Sequence, residues 1–207
     1  MPPTMLEIRD KILEAALRVF GETGYRGATT RRIAQTAEVN EVTLFRHFGS
    51  KEELIREALE HAAREEEARL PEVPVRPYQE LTHWASEHYR HLCARAPMIR
   101  TCLGESNEHP ELTGSVSERP VRVGAELRRY LNRLREQGGA SGAVDPEIAA
   151  GMLMSALFID AISRDLMPRL YVYSRAEAPI RYAEFVLSAL GVIPEKQEER
   201  NVTKNGS

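Results

Sequence analysis

Ala28-Thr29-Thr30-Arg31-Arg32-Ile33-Ala34-Gln35-Thr36-Ala37-Glu38-Val39-Asn40-Glu41-Val42-Thr43-Leu44-Phe45-Arg46-His47-Phe48 reads as two short helices joined by a turn. The first spans about 30–37, capped by Thr29 or Thr30, and the second about 41–48, capped by Asn40. Thr and Asn suit these places because their side chains accept from the first free N–H groups of a helix. Ile33, Ala34 and Ala37 face inward from the first helix, and Val39, Leu44 and Phe48 from the turn and the second. Glu41, Val42, Thr43, Phe45, Arg46 and His47 remain outside. Upstream, Ile8, Ile12, Ala16 and Phe20 recur every four residues beside Leu13 and Leu17, an apolar stripe that Gly21 and Gly24 are expected to end. Downstream, Ser50 with Glu53 three residues later reads as a capping box, opening a helix that buries Leu54, Ile55, Ala58, Leu59 and Ala62.

Farther out, helical periodicity continues and no alternating run is long enough for a sheet, so the fold class is all-α. Pro71, Pro74 and Pro77 are too close together for a helix interior and set a boundary. The reading is a domain over 1–68, a larger helical domain over 69–194, and a polar tail over 195–207 that is expected to be disordered. In the larger domain helices are predicted over 78–94, 97–103, 119–136, 146–166 and 177–190. Asp145-Pro146 caps and starts the fourth of these, and Gly191 stops the last.

The chain has 207 residues, enough for an ordinary core without staples, and its two cysteines, Cys93 and Cys102, have no framework spacing and read as free thiols. The start lacks a basic segment followed by an apolar run, and the longest apolar stretch, about 149–162, falls short of the roughly 20 residues of a spanning helix and contains Asp160. A soluble, cytoplasmic protein without a membrane partner is the expectation. The net charge of −3 argues against general coating of nucleic acid. Between Gly24 and Lys51, however, Arg26, Arg31, Arg32, Arg46 and Lys51 face only Glu38 and Glu41, a local surplus of three positive charges. A surplus of that size is also what an ordinary solvated face carries.

Two short helices inside a small helical unit can brace the second against the major groove of DNA, the logic of the helix-turn-helix. A generic α-hairpin would leave the same polar residues outside, so the pattern alone does not choose. Ala28 to Ala34, then Val39, Thr43 to Phe48 and Ser50 to Leu54, are more specific: over roughly residues 6–68 the chain resembles the DNA-binding domain of the TetR family of transcriptional regulators. The resemblance implies that Thr30, Thr43, His47 and Lys51 hold operator phosphates and that Arg31, Glu41 and Val42 face bases, with Phe45 and Arg46 on the same surface. Thr30 and Lys51 at helix starts suit an anion, Arg31 can pair with guanine, and Val42 can touch a thymine methyl. Three positions depart from the family pattern. Phe45 replaces a tyrosine whose hydroxyl binds phosphate, Glu38 stands at the usual turn glycine, so that either it takes the left-handed conformation or the turn differs slightly, and Val42 replaces a small residue.

The resemblance also implies a ligand pocket inside the larger domain, for which Trp84, Tyr89, Met98, Cys102, Leu127 and Tyr130 are the candidates; core packing is the plainer role for all six. The helix after the loop is apolar around most of its circumference, with Ile148, Ala149, Met152, Leu153, Ala156, Leu157, Ile159 and Ile162. With the last helix it resembles the family's dimer interface, for which Met152, Leu153, Leu157, Ile180, Ala183 and Leu187 are the candidates, although a central helix of a monomer has the same composition. No cofactor or metal is expected: Gly138, Gly139 and Gly142 follow a helix rather than a strand, His88 and His91 lack a second half-site, and no catalytic motif is visible. The expectation is a homodimeric, ligand-responsive repressor of a palindromic operator, not an enzyme. The alternatives are a helical enzyme or a protein-interaction module that retains the head.

Overall fold

The computed structural model describes residues 4–64 and 69–192. Among them every regular element is helical, as expected: α1 (Met5–Gly27), α2 (Thr30–Thr36), α3 (Glu41–Phe48), α4 (Lys51–Arg64), α5 (Pro77–Glu105), α6 (Pro110–Glu136), α7 (Pro146–Ser163) and α8 (Ala178–Ala189), with a 3-10 turn at Pro168–Leu170. The chain forms two compact units. One, the head, comprises Met1–Glu66 and Arg95–Val121, and the other Glu67–Ala94 and Arg122–Ser207. The boundary expected at 68/69 and the tail expected over 195–207 lie outside the described residues.

In the head, α1 packs on α2 and α4, and α2 on α3. The stripe of α1 supplies Ile12, Leu13, Ala16, Val19 and Phe20, which bury against Ile33, Ala34 and Ala37, then Leu44 and Phe48, then Leu54, Ile55, Ala58 and Leu59. Each fully buried large apolar side chain here contributes about 1.5–3 kcal/mol, which exceeds any single surface interaction of the head. α1 opens on a complete capping box: the Thr4 hydroxyl accepts from Glu7 N, and the Glu7 carboxylate accepts from Thr4 N at 2.6 Å. Gly21 does not end α1. The break comes at Gly24, with φ 71° and ψ 178°, a conformation that residues with a Cβ rarely adopt.

Two further boundaries differ from the sequence reading. α5 runs straight through Pro97, because Ala96, Ile99 and Cys102 of its second half are buried and this tertiary packing outweighs the one N–H that proline lacks. α6 begins at Pro110 rather than near Arg119, with a proline at its first position, where no N–H is needed.

The second unit centres on Leu81, Trp84, Ala85 and Tyr89 of α5, Leu127, Tyr130, Leu131 and Leu134 of α6, and the inner faces of α7 and α8. α7 starts as its sequence predicts, with the Asp145 carboxylate accepting from Glu147 N at 2.8 Å and Pro146 following. By length and composition α7 could cross a membrane. Its apolarity has a local cause, because one face packs on α8 and the core while Asp160 near its end, 1% exposed, is saturated with hydrogen bonds. Asp160 accepts from Tyr89 Oη at 2.8 Å, from Tyr182 Oη at 2.6 Å, and from Arg164 Nε and Nη2 at 2.6 and 2.5 Å. Burial works against its charge, but the bonds from Arg164, Tyr182 and Tyr89 outweigh it and hold the carboxyl below its ordinary range.

Candidate nucleic-acid interface

The outer face of the head is built by three caps. Thr29 Oγ1 accepts from Arg32 N at 3.3 Å, Asn40 Oδ1 from Val42 N at 2.9 Å, and Ser50 Oγ from Glu53 N at 3.1 Å. Thr29, not Thr30, is therefore the cap of α2, which leaves the Thr30 hydroxyl for another partner. The expected box at Ser50 is one-sided. Ser50 N already donates to Phe48 O at 2.8 Å, and the Glu53 carboxylate binds Arg56 instead. In the turn Glu38 has φ 53°, the left-handed conformation expected where the family has glycine, and its carboxylate pairs with Lys11 at 2.6 Å. That pairing holds the Glu38 carboxyl below its usual value.

Arg31, Arg32 and Arg46 are exposed and make no ion pair among the described residues. Arg9, Lys11, Arg26 and Arg56 of the same unit are each paired with a glutamate. Among the described residues three unpaired guanidinium groups thus lie on α2 and α3, with a further one, Arg18, on α1. Beside it, Val42 is 72% and Phe45 45% exposed, apolar groups left in water by a fold that buries their neighbours Leu44 and Phe48. An apolar patch rimmed by free guanidinium groups suits DNA, where thymine methyls and phosphates adjoin.

The remaining candidates are half-buried. Thr30 Oγ1 donates to Glu41 Oε1, bridging α2 and α3. Thr43 lies one position beyond Val42. His47 packs beside Phe48, and its Nε2 is buried with no hydrogen-bond partner among the described residues. Lys51 is not a free point charge: its ammonium donates to the Tyr25 carbonyl and sits 4.2 Å from the centroid of that ring. Burial depresses its pKa, partly countered by Glu52 and Glu105. Tyr25 was not foreseen, since nothing in its spacing marks it. Its N–H donates to Glu105 at 3.1 Å, its hydroxyl to Glu52 at 3.1 Å, and its ring meets His109 with centroids 4.0 Å apart.

The six ligand candidates separate. Trp84, Tyr89, Leu127 and Tyr130 share the core of the second unit. Trp84 stacks on His88 at 5.2 Å, and Tyr130 Oη donates to Glu80 at 2.7 Å. Met98 and Cys102 do not join them. They pack in the head core, where a Cβ on Gly21 of α1 would lie 3.1 Å from Met98 N, and burial pushes the Cys102 thiol up to about 11. Helical periodicity places them on the apolar face of α5 but cannot say which core receives that face.

The six interface candidates also divide. Leu153, Leu157, Ala183 and Leu187 are buried in the core of their own unit and are corrected to core residues, because the inner stripe of each helix is taken by the other. Met152 and Ile180 are exposed, joined by Ile148, Ile159 and Phe185, which make the outward apolar stripe of α7 and α8. Among the described residues the histidines of α5 form no metal-ligating group; that geometry occurs instead at Glu105, Glu108 and His109.

Three comparisons bear on this geometry. The sequence profile of the bacterial regulatory proteins of the tetR family matches residues 12–58, the whole of α2 and α3 with their braces. The chain is 31% identical over 149 residues to the HTH-type transcriptional repressor NicS of Pseudomonas putida, covering 68% of this chain and 67% of NicS. It is 28% identical over 148 residues to the HTH-type transcriptional regulator YvkB of Bacillus subtilis, covering 72% and 78% respectively. The solved structure of the flavonoid-responsive regulator FrrA has the same fold, with a TM-score of 0.62 at 23% identity, covering 88% of this chain and 96% of FrrA.

Proposed function

Since the chain belongs to the TetR family of transcriptional regulators, we propose that it is a repressor that binds a palindromic operator as a homodimer and leaves it when a small, mostly apolar ligand binds. It is a regulator, not an enzyme, as its relatives and fold neighbours are. The observation that carries the DNA-binding part is the outer face of α2 and α3, where Arg31, Arg32 and Arg46 lack intramolecular anions around the exposed Val42 and Phe45. Thr43, His47 and Lys51 contact phosphates. Arg31, Glu41 and Val42 face base edges.

The outward stripe of α7 and α8 supports the dimer, since Met152, Ile180 and Phe185 are large apolar groups that the fold itself leaves unburied. Two heads then meet half-sites about 34–36 Å apart, one helical turn. For the ligand, the aromatic core around Trp84, Tyr89 and Tyr130 offers the mixture of apolar walls and few polar groups that such sites use. FrrA is named for a flavonoid response and NicS as a repressor, and both functions are carried over here as proposals. α5 contributes Trp84 and Tyr89 to one unit and Met98 and Cys102 to the other, so a ligand that repacks the first pair acts on an element shared with the head.

The test is selection of bound duplexes from random DNA, followed by titration of flavonoid-sized compounds. A two-fold symmetric motif, and a compound that binds the free protein better than the operator complex, are expected; linkage makes the two effects reciprocal. No enrichment of any motif would overturn the regulator reading. A compound that binds equally well with and without operator would overturn its role as the releasing ligand.

A further inference from the structure

A threonine hydroxyl has one hydrogen, and that of Thr30 is directed at Glu41 Oε1. In this geometry the Thr30 hydroxyl has no hydrogen left for a phosphate, the role that the family resemblance implies for it. The bond changes Glu41 as well. The carboxylate is tied at one oxygen across the α2–α3 turn, so its rotamer freedom is surrendered before DNA arrives, while Oε2 makes no hydrogen bond among the described residues. Glu41 opens α3, one position before the exposed Val42, and is half-buried.

A carboxylate accepts and never donates, which limits what it tolerates in the major groove. Guanine presents two acceptors there, N7 and O6, and thymine presents O4 and a methyl, so all of these repel or ignore it. Adenine offers its N6 amino group, but the acceptor N7 lies beside it, and an Asn or Gln with a donor of its own is what fits that pair. Cytosine offers the N4 amino group as a donor with no acceptor of its own beside it. Thr30 occupies only one lone pair of the carboxylate, so Glu41 still accepts but never donates, and such a group matches the base whose own edge offers a donor alone, cytosine. Guanine or thymine leaves the carboxylate without a donor in a groove flanked by phosphates, and adenine sets its N7 acceptor against it.

Resting on the regulator reading above, we propose that Glu41 reads a cytosine in each operator half-site through the N4 amino group, and that Thr30 is a positioning residue that aims Glu41 rather than a phosphate ligand. The test is selection from random duplex DNA with the full-length dimer in four forms: wild type, Glu41→Gln, Thr30→Val and Thr30→Ser, all checked for wild-type melting. Wild type is expected to prefer cytosine at one half-site position by roughly 10- to 100-fold. Glu41→Gln should move that position alone from cytosine to adenine, since the amide supplies the missing donor. Thr30→Val, equal in shape but without the hydroxyl, should flatten the preference there several-fold and leave the other positions and the salt dependence unchanged, and Thr30→Ser should restore it. An unaltered motif in Glu41→Gln overturns the cytosine assignment. A Thr30→Val protein that loses affinity for all sequences alike, with a shallower salt dependence, overturns the positioning role. Both outcomes leave the regulator reading standing, whereas a wild type that enriches no motif removes that reading as well.

Discussion

Replacing Phe185 by arginine tests the outward stripe of α7 and α8 as a dimer contact. Phe185 is 68% exposed and Met152 59% in the single chain, so most of each side chain is still available for burial by a partner. Completing the burial of such a side chain is worth about 1–2 kcal/mol, and a two-fold axis counts it twice, so Phe185→Arg removes about 2–4 kcal/mol before the cost of the new charge. The dimer dissociation constant should rise by roughly 30- to 1000-fold. Because the side chain touches little of its own core, helix content and melting of the monomer should barely change. Leu187→Arg and Leu157→Arg are the contrast. These leucines are 1% and 0% exposed inside their own unit, and an unpaired buried charge there should cost several kcal/mol of a total stability of about 5–15. They should unfold the chain rather than split a dimer. Sedimentation velocity across concentrations, paired with thermal melts by circular dichroism, separates the two effects. A Phe185→Arg protein with wild-type association, or a wild type that is a well-folded monomer at micromolar concentration, would refute the reasoning.

Lys51→Ala should weaken binding to all DNA sequences alike and reduce the salt slope by about one, while Arg31→Ala should relax preference at one base pair; equal changes in base preference for both would reverse these roles. Asp160→Ala strands Arg164 with the Tyr89 and Tyr182 hydroxyls and should cost about 3–5 kcal/mol in denaturant unfolding, an expectation that a loss under 1 kcal/mol would contradict. Because the Asp160 carboxyl is held below its ordinary value, its contribution is complete above the unfolded pKa and disappears as pH falls through the folded one. The acid limb of a stability–pH curve should therefore be shallower in Asp160→Ala than in wild type. Cys102, buried and with its thiol raised to about 11, should resist alkylation at pH 8 until denaturant is added; rapid labelling of the native protein would place it outside the core.

Local chemistry made the head readable. Thr29, Asn40 and Ser50 cap the helices on which they are placed, because capping is decided within three residues. Glu38 takes φ 53° because the turn geometry is set by the two helices it joins. The charges and apolar groups left outward on α3 follow from the 3.6-residue period alone.

What sequence determined by itself, then, was the all-α class, the starts of α2, α3, α4 and α7, and which side chains of α2 and α3 face away from their core, since each depends on neighbours a few positions apart. Partners distant in the chain were settled only by tertiary structure. Thr30 and Glu41 meet across a turn, Lys51 finds the carbonyl of Tyr25, and Asp160 gathers Tyr89 from α5 and Tyr182 from α8. The same holds for the core that each apolar face enters. Met98 and Cys102 share a helix with Trp84 and Tyr89 yet pack in the head, and of the apolar residues around α7 the fold buries Leu153 and Leu157 and leaves Met152 in water. The period of a helix ranks its faces by polarity, but where several faces are equally apolar only the position of the neighbouring helices decides which one is covered.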